Sequence, residues 1–255
     1  MSVPYPAIMV QAGDRATLAE ARERVIERIA VACRRSGRDP GSAQLVAVTK
    51  TVAPERIREG IAVGLTTFGE NRVQEAGAKV LAVAGATWHL IGPLQSNKAR
   101  RAVELFDAIE TVDSVALARR LDRLAGELRP GQGLPALIQV NVDRDPAKAG
   151  IDPAELDHAF DDLEGLANLR IDGLMTVGQQ VASRDDARPT FAALRELSDR
   201  LRPTHAVLGP ALSMGMTDDF EVAIEEGATI VRIGRALFGE RPHHHDGDHD
   251  ADHAP

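Results

Sequence analysis

The chain has 255 residues, of which 44% are hydrophobic, 27% charged and only 3% aromatic, with a formal charge of −8 at neutral pH. That negative balance argues against a general nucleic-acid binder, and no run nears the roughly 20 apolar residues of a membrane span. A single cysteine, Cys33, excludes an internal disulfide and fits a reducing, cytoplasmic setting.

The opening MSVPYPAIMVQAGD lacks a charged segment followed by a proper apolar one, so no secretory signal is expected. RATLAEARERVIERIAVACRR then predicts a leading helix over about 15–36. Eight β-like runs follow: LVAVT (45–49), LTTFG (65–69), ATWHLIG (86–92), FDAIETV (106–112), LPALIQVNV (134–142), LRIDGLMTV (169–177), THAVLGP (204–210) and ATIVRIG (228–234). Between them lie amphipathic stretches, the first being PERIREGIAVG with Pro54 in its opening turn. NRVQEAGAKVLAVAG, NKARRAVEL, SVALARRLDRLAGELR, DPAELDHAFDDLEGL, DARPTFAALRELSDRLR and DDFEVAIEEG complete the set.

Strands alternating with helices imply a parallel sheet, and eight of them favour a closed (β/α)8 TIM barrel with an extra N-terminal helix. An open doubly wound sheet is the competitor, but no G-x-G-x-x-G follows the first strand. Nothing interrupts the alternation, so residues 12–240 read as one domain. The remainder, RPHHHDGDHDADHAP (241–255), is nearly free of apolar residues and is expected to be disordered. It holds five of the eight histidines; without rigid spacing they read as a solvated tail rather than a metal site.

In such barrels chemistry gathers at the C-terminal ends of the strands. Lys50 ends the first apolar run. A lone strand-end lysine is commonly a solvated cap; a functional one would use its amine to form a Schiff base with an aldehyde. Asn71, just past the second strand, reads as a ligand contact, a helix N-cap, or both. His89 lies within the third strand, as a core histidine or as a group facing a cofactor ring. After the seventh strand come Ser213, Met214 and Gly215; the eighth carries Arg232, then Gly234 and Arg235 open a short helix. Those two loops are the usual phosphate corner of this barrel. The first and eighth strands are neighbours, so a Schiff-base lysine and a phosphate cradle would lie side by side. Pyridoxal 5′-phosphate carries both an aldehyde and a phosphate.

The blocks LVAVTKTVAPERI, FGENRVQEAGAK, WHLIGPLQSNKAR, IQVNVDRDPAKAGI, GLMTVG and LSMGMTDDFEVAIEEGATIVRIGRALFG together resemble the pyridoxal-phosphate homeostasis protein family. Its fold is like the barrel domain of alanine racemase. The resemblance covers residues 12 to about 240. It implies that Lys50 forms the Schiff base and that Ser213 holds the phosphate with the backbone around Met214, Gly234 and Arg235. It implies further that Arg232 faces the pyridine nitrogen, while Asn71, His89 and Met175 line the ring. A guanidinium there keeps the pyridine nitrogen unprotonated and weakens the ring as an electron sink. Arg235 stands where relatives often have Thr, and Arg72 where they often have an aromatic.

Three functions compete. The first is a non-enzymatic carrier for intracellular pyridoxal phosphate homeostasis, with apo-enzymes as possible recipients. The second is an amino-acid racemase, which in this fold needs a tyrosine base from a further domain; the one tyrosine here is Tyr5. The third is a Schiff-base aldolase, for which only Asp143 and Asp145 offer carboxylates, in a loop that reads as a solvated turn. The carrier is favoured, and a monomer is expected.

Overall fold

A helix that returns the chain to the same edge of a sheet forces the next strand to run parallel to the last. The chain does this at every step of a computed structural model that describes residues 12–179 and 181–239. The strands are β1 (Gln44–Val48), β2 (Thr67–Glu70), β3 (Thr87–Leu90), β4 (Ala108–Val112), β5 (Leu134–Gln139), β6 (Leu169–Met175), β7 (Ala211–Ser213) and β8 (Ile230–Ile233). Each pairs in parallel with its sequence neighbour, and β8 closes onto β1 with Val46 opposite Arg232. The expected (β/α)8 barrel is therefore the fold.

The helices are α1 (Ala12–Arg35), α2 (Pro54–Ala62), α3 (Val73–Ala82), α4 (Ala99–Leu105), α5 (Val115–Leu128), α6 (Leu156–Leu163), α7 (Arg188–Leu201), α8 (Phe220–Glu225) and α9 (Arg235–Phe238). Their starts follow local chemistry. Pro54 opens α2, and the Ser114 hydroxyl accepts from the Leu117 amide to cap α5. On α5, Leu117, Leu121, Leu124 and Ala125 recur at helical spacing and are buried. The main core lies between these helix faces and the outward residues of the strands, with few aromatics among them.

The leading helix has a specific use. At four residues, α9 spans only about 6 Å and leaves the β8–β1 seam bare. The 24-residue α1 packs against α8, α9 and α2 and covers that seam, burying Val25, Ile29, Ala32 and Cys33. Arg28 ties it to α8, pairing with Glu221 at 2.9 Å and lying 4.5 Å over the Phe220 ring.

One strand differs from the sequence reading. THAVLGP is not the seventh strand: residues 202–210 form turns, with His205 N donating to Leu201 O and Leu208 N to His205 O. The seventh strand is the next three residues, Ala211–Ser213, registered against Gly173–Met175 of β6. The turns leave α7, and the amide of Gly209 bonds Ile171 O before the chain enters the sheet. Ser213 is thus the last residue of β7 rather than a loop residue. The tail 241–255 and Tyr5 lie outside the described residues.

Candidate functional site

Register fixes which side chains face the barrel axis. Residues paired across parallel strands share a face, and β1 pairs Val46 with Arg232 and Val48 with Gly69, which in turn pairs with His89. Val46, Val48, Gly69, His89 and Arg232 therefore share one face. A Cβ added to Gly69 would strike Val46 and Ile91, so that face is the crowded interior. Alternation carries Lys50 onto the same side, one step beyond Val48 at the C-terminal mouth.

The turn holding Lys50 is braced from outside the barrel. The Thr49 carbonyl accepts from Val52 N at 2.9 Å and from Lys79 Nζ at 2.7 Å. Lys79, on α3, also pairs at 2.8 Å with Glu70, whose same oxygen accepts from the Thr49 hydroxyl at 2.5 Å. Glu70 is fully buried, and its other oxygen has no hydrogen-bond partner among the described residues. Thr51 adopts a left-handed φ of 66°, an uncommon conformation for a β-branched residue.

Beside the β1 end that leads to Lys50 lies the corner between β7 and β8. A Cβ on Gly234 would sit 3.3 Å from both the Cβ and the carbonyl oxygen of Val48, so the β8 end closes directly onto the strand that leads to Lys50. Gly215 has φ +90°, and a Cβ there would meet Ala223 at 2.5 Å, so only glycine fits the turn into α8. The Met214 amide donates to Ile230 O at 3.2 Å. The Arg235 guanidinium turns to Asp218 of the preceding loop and forms an ion pair with it. Arg72, just before α3, similarly pairs with Glu75 in its first turn.

Inside the mouth runs a continuous polar chain. Arg232 donates through Nη1 to the Ser213 hydroxyl at 2.6 Å and through Nη2 to the Thr176 carbonyl at 2.8 Å. Ser213 donates to Glu110 at 2.5 Å, and the other Glu110 oxygen meets His89 Nδ1 at 2.6 Å. Burial alone would push the Glu110 carboxyl up; the hydrogen bond and charge of His89, the charge of Arg232 and the Ser213 hydroxyl outweigh it and hold the group below the usual carboxylate range. Burial pulls Arg232 down, against the charges of Glu110 and Asp219. Asp219 itself is pushed up by burial, although its side chain accepts from Met216 N.

Of the sequence-predicted residues, Lys50, His89, Met175, Ser213, Arg232 and Gly234 thus gather around one end of the barrel. Met175 is fully buried at the end of β6, opposite Ser213. The Ser213 hydroxyl faces Glu110 and Arg232, and its single proton is committed to Glu110. Asn71 does not cap α3: Arg72 is the N-cap residue, and Asn71 Oδ1 is buried with no hydrogen-bond partner among the described residues. Asp143 and Asp145 are structural. Asp143 accepts from Thr190 and the Gln179 amide, and Asp145 from the Ala147 amide. Sequence reasoning missed Glu110, Thr176, Glu70 and Lys79. A carboxylate within the apolar run FDAIETV was the available signal for Glu110.

Comparison with known proteins agrees with this fold. The family described as "Alanine racemase, N-terminal domain" matches residues 22–242. The pyridoxal phosphate homeostasis protein of Aquifex aeolicus is 45% identical, covering 87% of this chain and 97% of that one. This chain belongs to the pyridoxal phosphate homeostasis protein family. PipY of Synechococcus elongatus, a solved structure 42% identical, spans 87% of this chain and all of its own, with a TM-score of 0.79 without PLP and 0.76 with PLP bound. Members of this family thus share the barrel over nearly their whole length. No helix among the described residues is long and apolar enough to cross a membrane, and no group of metal-ligating side chains occurs among them.

Proposed function

We propose that this chain binds pyridoxal 5′-phosphate through Lys50 and serves as a cytoplasmic, monomeric, non-enzymatic carrier in the homeostasis of that cofactor. The observation that carries the proposal is the contact between the Gly234 turn and Val48, which sets a backbone corner beside the strand delivering Lys50. The names of close relatives, and PipY solved with PLP bound, point the same way.

The residues present suit this group. Lys50 supplies a primary amine, which can join an aldehyde carbon as a C=N bond with loss of water. Arg232, with Ser213 and Thr176 fixing its plane, offers a cation that accepts no proton and suits the pyridine nitrogen. The orphan Oδ1 of Asn71 is a buried acceptor in want of a donor. The backbone at Gly215, Gly234 and Arg235 is the proposed phosphate grip, with Met214 shaping the turn, Met175 packing below, and Ser213 acting chiefly through Arg232. Bound in this way, the cofactor brings an aldehyde whose covalent capture is reversible. What the chain's residues add is orientation and a permanently charged guanidinium, which discourages the electron withdrawal that a racemase or aldolase exploits. The barrel over residues 12–240 is proposed to act alone, passing the cofactor to apo-enzymes.

The test is an absorbance spectrum of purified protein with pyridoxal phosphate, before and after borohydride, followed by peptide mapping. A visible band that bleaches, with the label on Lys50, is expected. Lys50→Ala should lose that band entirely and melt within a few degrees of wild type. Racemisation assays with several amino acids should show no turnover; robust turnover would overturn the carrier reading.

A further inference from the structure

Glu110 lies on β4, and β4 is three strands from β7 along the shorter arc of the barrel. Its carboxylate nevertheless touches a side chain of β7, so it reaches across the interior instead of along the wall. One oxygen takes His89 from β3; the other takes Ser213, and Ser213 takes Arg232 from β8. All four side chains are buried.

Donor and acceptor roles in this chain are fixed by chemistry. A guanidinium only donates, so Arg232 gives a proton to the Ser213 oxygen. Ser213 has one proton, and it points at Glu110. An ionised carboxylate only accepts, so the proton between Glu110 and His89 resides on Nδ1. In its neutral form the His89 ring is thereby held as the Nδ1–H tautomer, with Nε2 left as an acceptor.

We propose that Glu110 is a positioning residue of the pyridoxal phosphate site, holding His89 directly and Arg232 through Ser213 so that the two ring-facing groups are set as one unit. The proposal rests on the function given above, since it assumes that His89 and Arg232 face the cofactor ring. It assigns to Glu110 two tasks: choosing the His89 tautomer, and supplying the counter-charge that lets a guanidinium reside in the barrel interior. A counter-charge alone could be structural; setting the His89 tautomer together with Arg232 is what the positioning role adds.

Two measurements on the full chain test this. In protein labelled with 15N-histidine and free of ligand, long-range proton–nitrogen spectra should show His89 protonated at Nδ1 near neutral pH. Free histidine favours the other tautomer, so Glu110→Ala should shift His89 to Nε2–H. In protein loaded with pyridoxal phosphate, Glu110→Gln keeps the volume but removes the charge, and should release the ligand at least tenfold faster on dilution, with the label still on Lys50. Should Glu110→Ala fail to fold, the wild-type tautomer and Glu110→Gln release rate decide. An Nε2–H tautomer in wild type, or a Glu110→Gln release rate within twofold of it, overturns the proposal. A wild-type protein that forms no bleachable band refutes the proposed function instead, and the tautomer of the ligand-free protein still decides the grip of Glu110.

Discussion

Two glutamates, Glu70 and Glu110, are removed entirely from solvent, and they sit on opposite sides of the same barrel wall. Glu70 faces outward, between β2 and α3, and its one bonded oxygen gathers Lys79 and Thr49. Glu110 faces inward, and its two oxygens gather side chains from β3 and β7. The outer group acts on backbone: Lys79 holds the Thr49 carbonyl, and so the turn on which Lys50 is mounted. The inner group acts on side chains, His89 and Arg232. On the proposed function, stability and binding are divided across the wall, with the outer pair bracing the turn that carries the lysine and the inner chain setting His89 and Arg232.

The largest effect should come from breaking the outer pair. Lys79→Met keeps length and apolar contact but leaves Glu70 buried with only the Thr49 hydroxyl as a side-chain partner. Removing one partner of a buried pair costs on the order of 3–5 kcal/mol, and urea denaturation should show about 3. Glu70→Gln added to Lys79→Met should restore more than half of that loss, because the uncompensated charge is gone. His89 should keep its tautomer in both variants. A His89 spectrum altered as much as in Glu110→Ala would erase the distinction between the two sides of the wall.

A smaller effect separates the pair by pH. The folded Glu110 carboxyl lies below its ordinary value, so its contribution is fully present above about pH 4.3 and is lost as pH falls through the lower, folded value. Glu110→Gln should therefore flatten the fall of unfolding free energy in that acid range, by at most about 1.4 kcal/mol per pH unit. Arg232, a permanent cation, and His89, which is charged only when doubly protonated, are the groups facing it. Glu221 and Glu226, also held low, face arginines near the surface and leave a residual slope in every variant. An unchanged slope in Glu110→Gln would mean that the Glu110 carboxyl binds protons equally in the folded and unfolded chain and is not held low.

The barrel was readable because short continuous apolar runs and capped amphipathic helices each declare themselves within a dozen residues. Lys50, Gly234 and Arg232 were readable for a related reason: strand order in a closed barrel makes the ends of β1 and β8 neighbours without further information. Ser213 was only half legible. Its place near the corner followed from chain order, but the three-residue β7 is too short for a pattern, and THAVLGP offered a stronger local signal. Whether its hydroxyl turns to a loop or to the barrel axis depends on that one strand boundary. Glu110 and Glu70 were not legible as partners, since the first reaches across the interior to β7 and the second takes its cation from a helix. Such pairings are set by tertiary packing that no local period encodes.

The smallest expected effect concerns Thr51, and it probes the outer brace most directly. A left-handed φ costs an L-residue about 1–2 kcal/mol, while glycine gives back roughly 0.5–1 kcal/mol through its freer unfolded chain. Thr51→Gly should therefore stabilise the protein by about 0.5 kcal/mol, a rise of one or two degrees in Tm. The informative quantity is its coupling to Lys79. If the ammonium holds the Thr49 carbonyl against the strain at Thr51, relieving that strain makes the ammonium less necessary. Lys79→Met should then cost less in a Thr51→Gly background than in wild type, by at least about 0.5 kcal/mol in a double-mutant cycle. Strict additivity would mean that Lys79 serves Glu70 alone and that the turn carrying Lys50 stands without it.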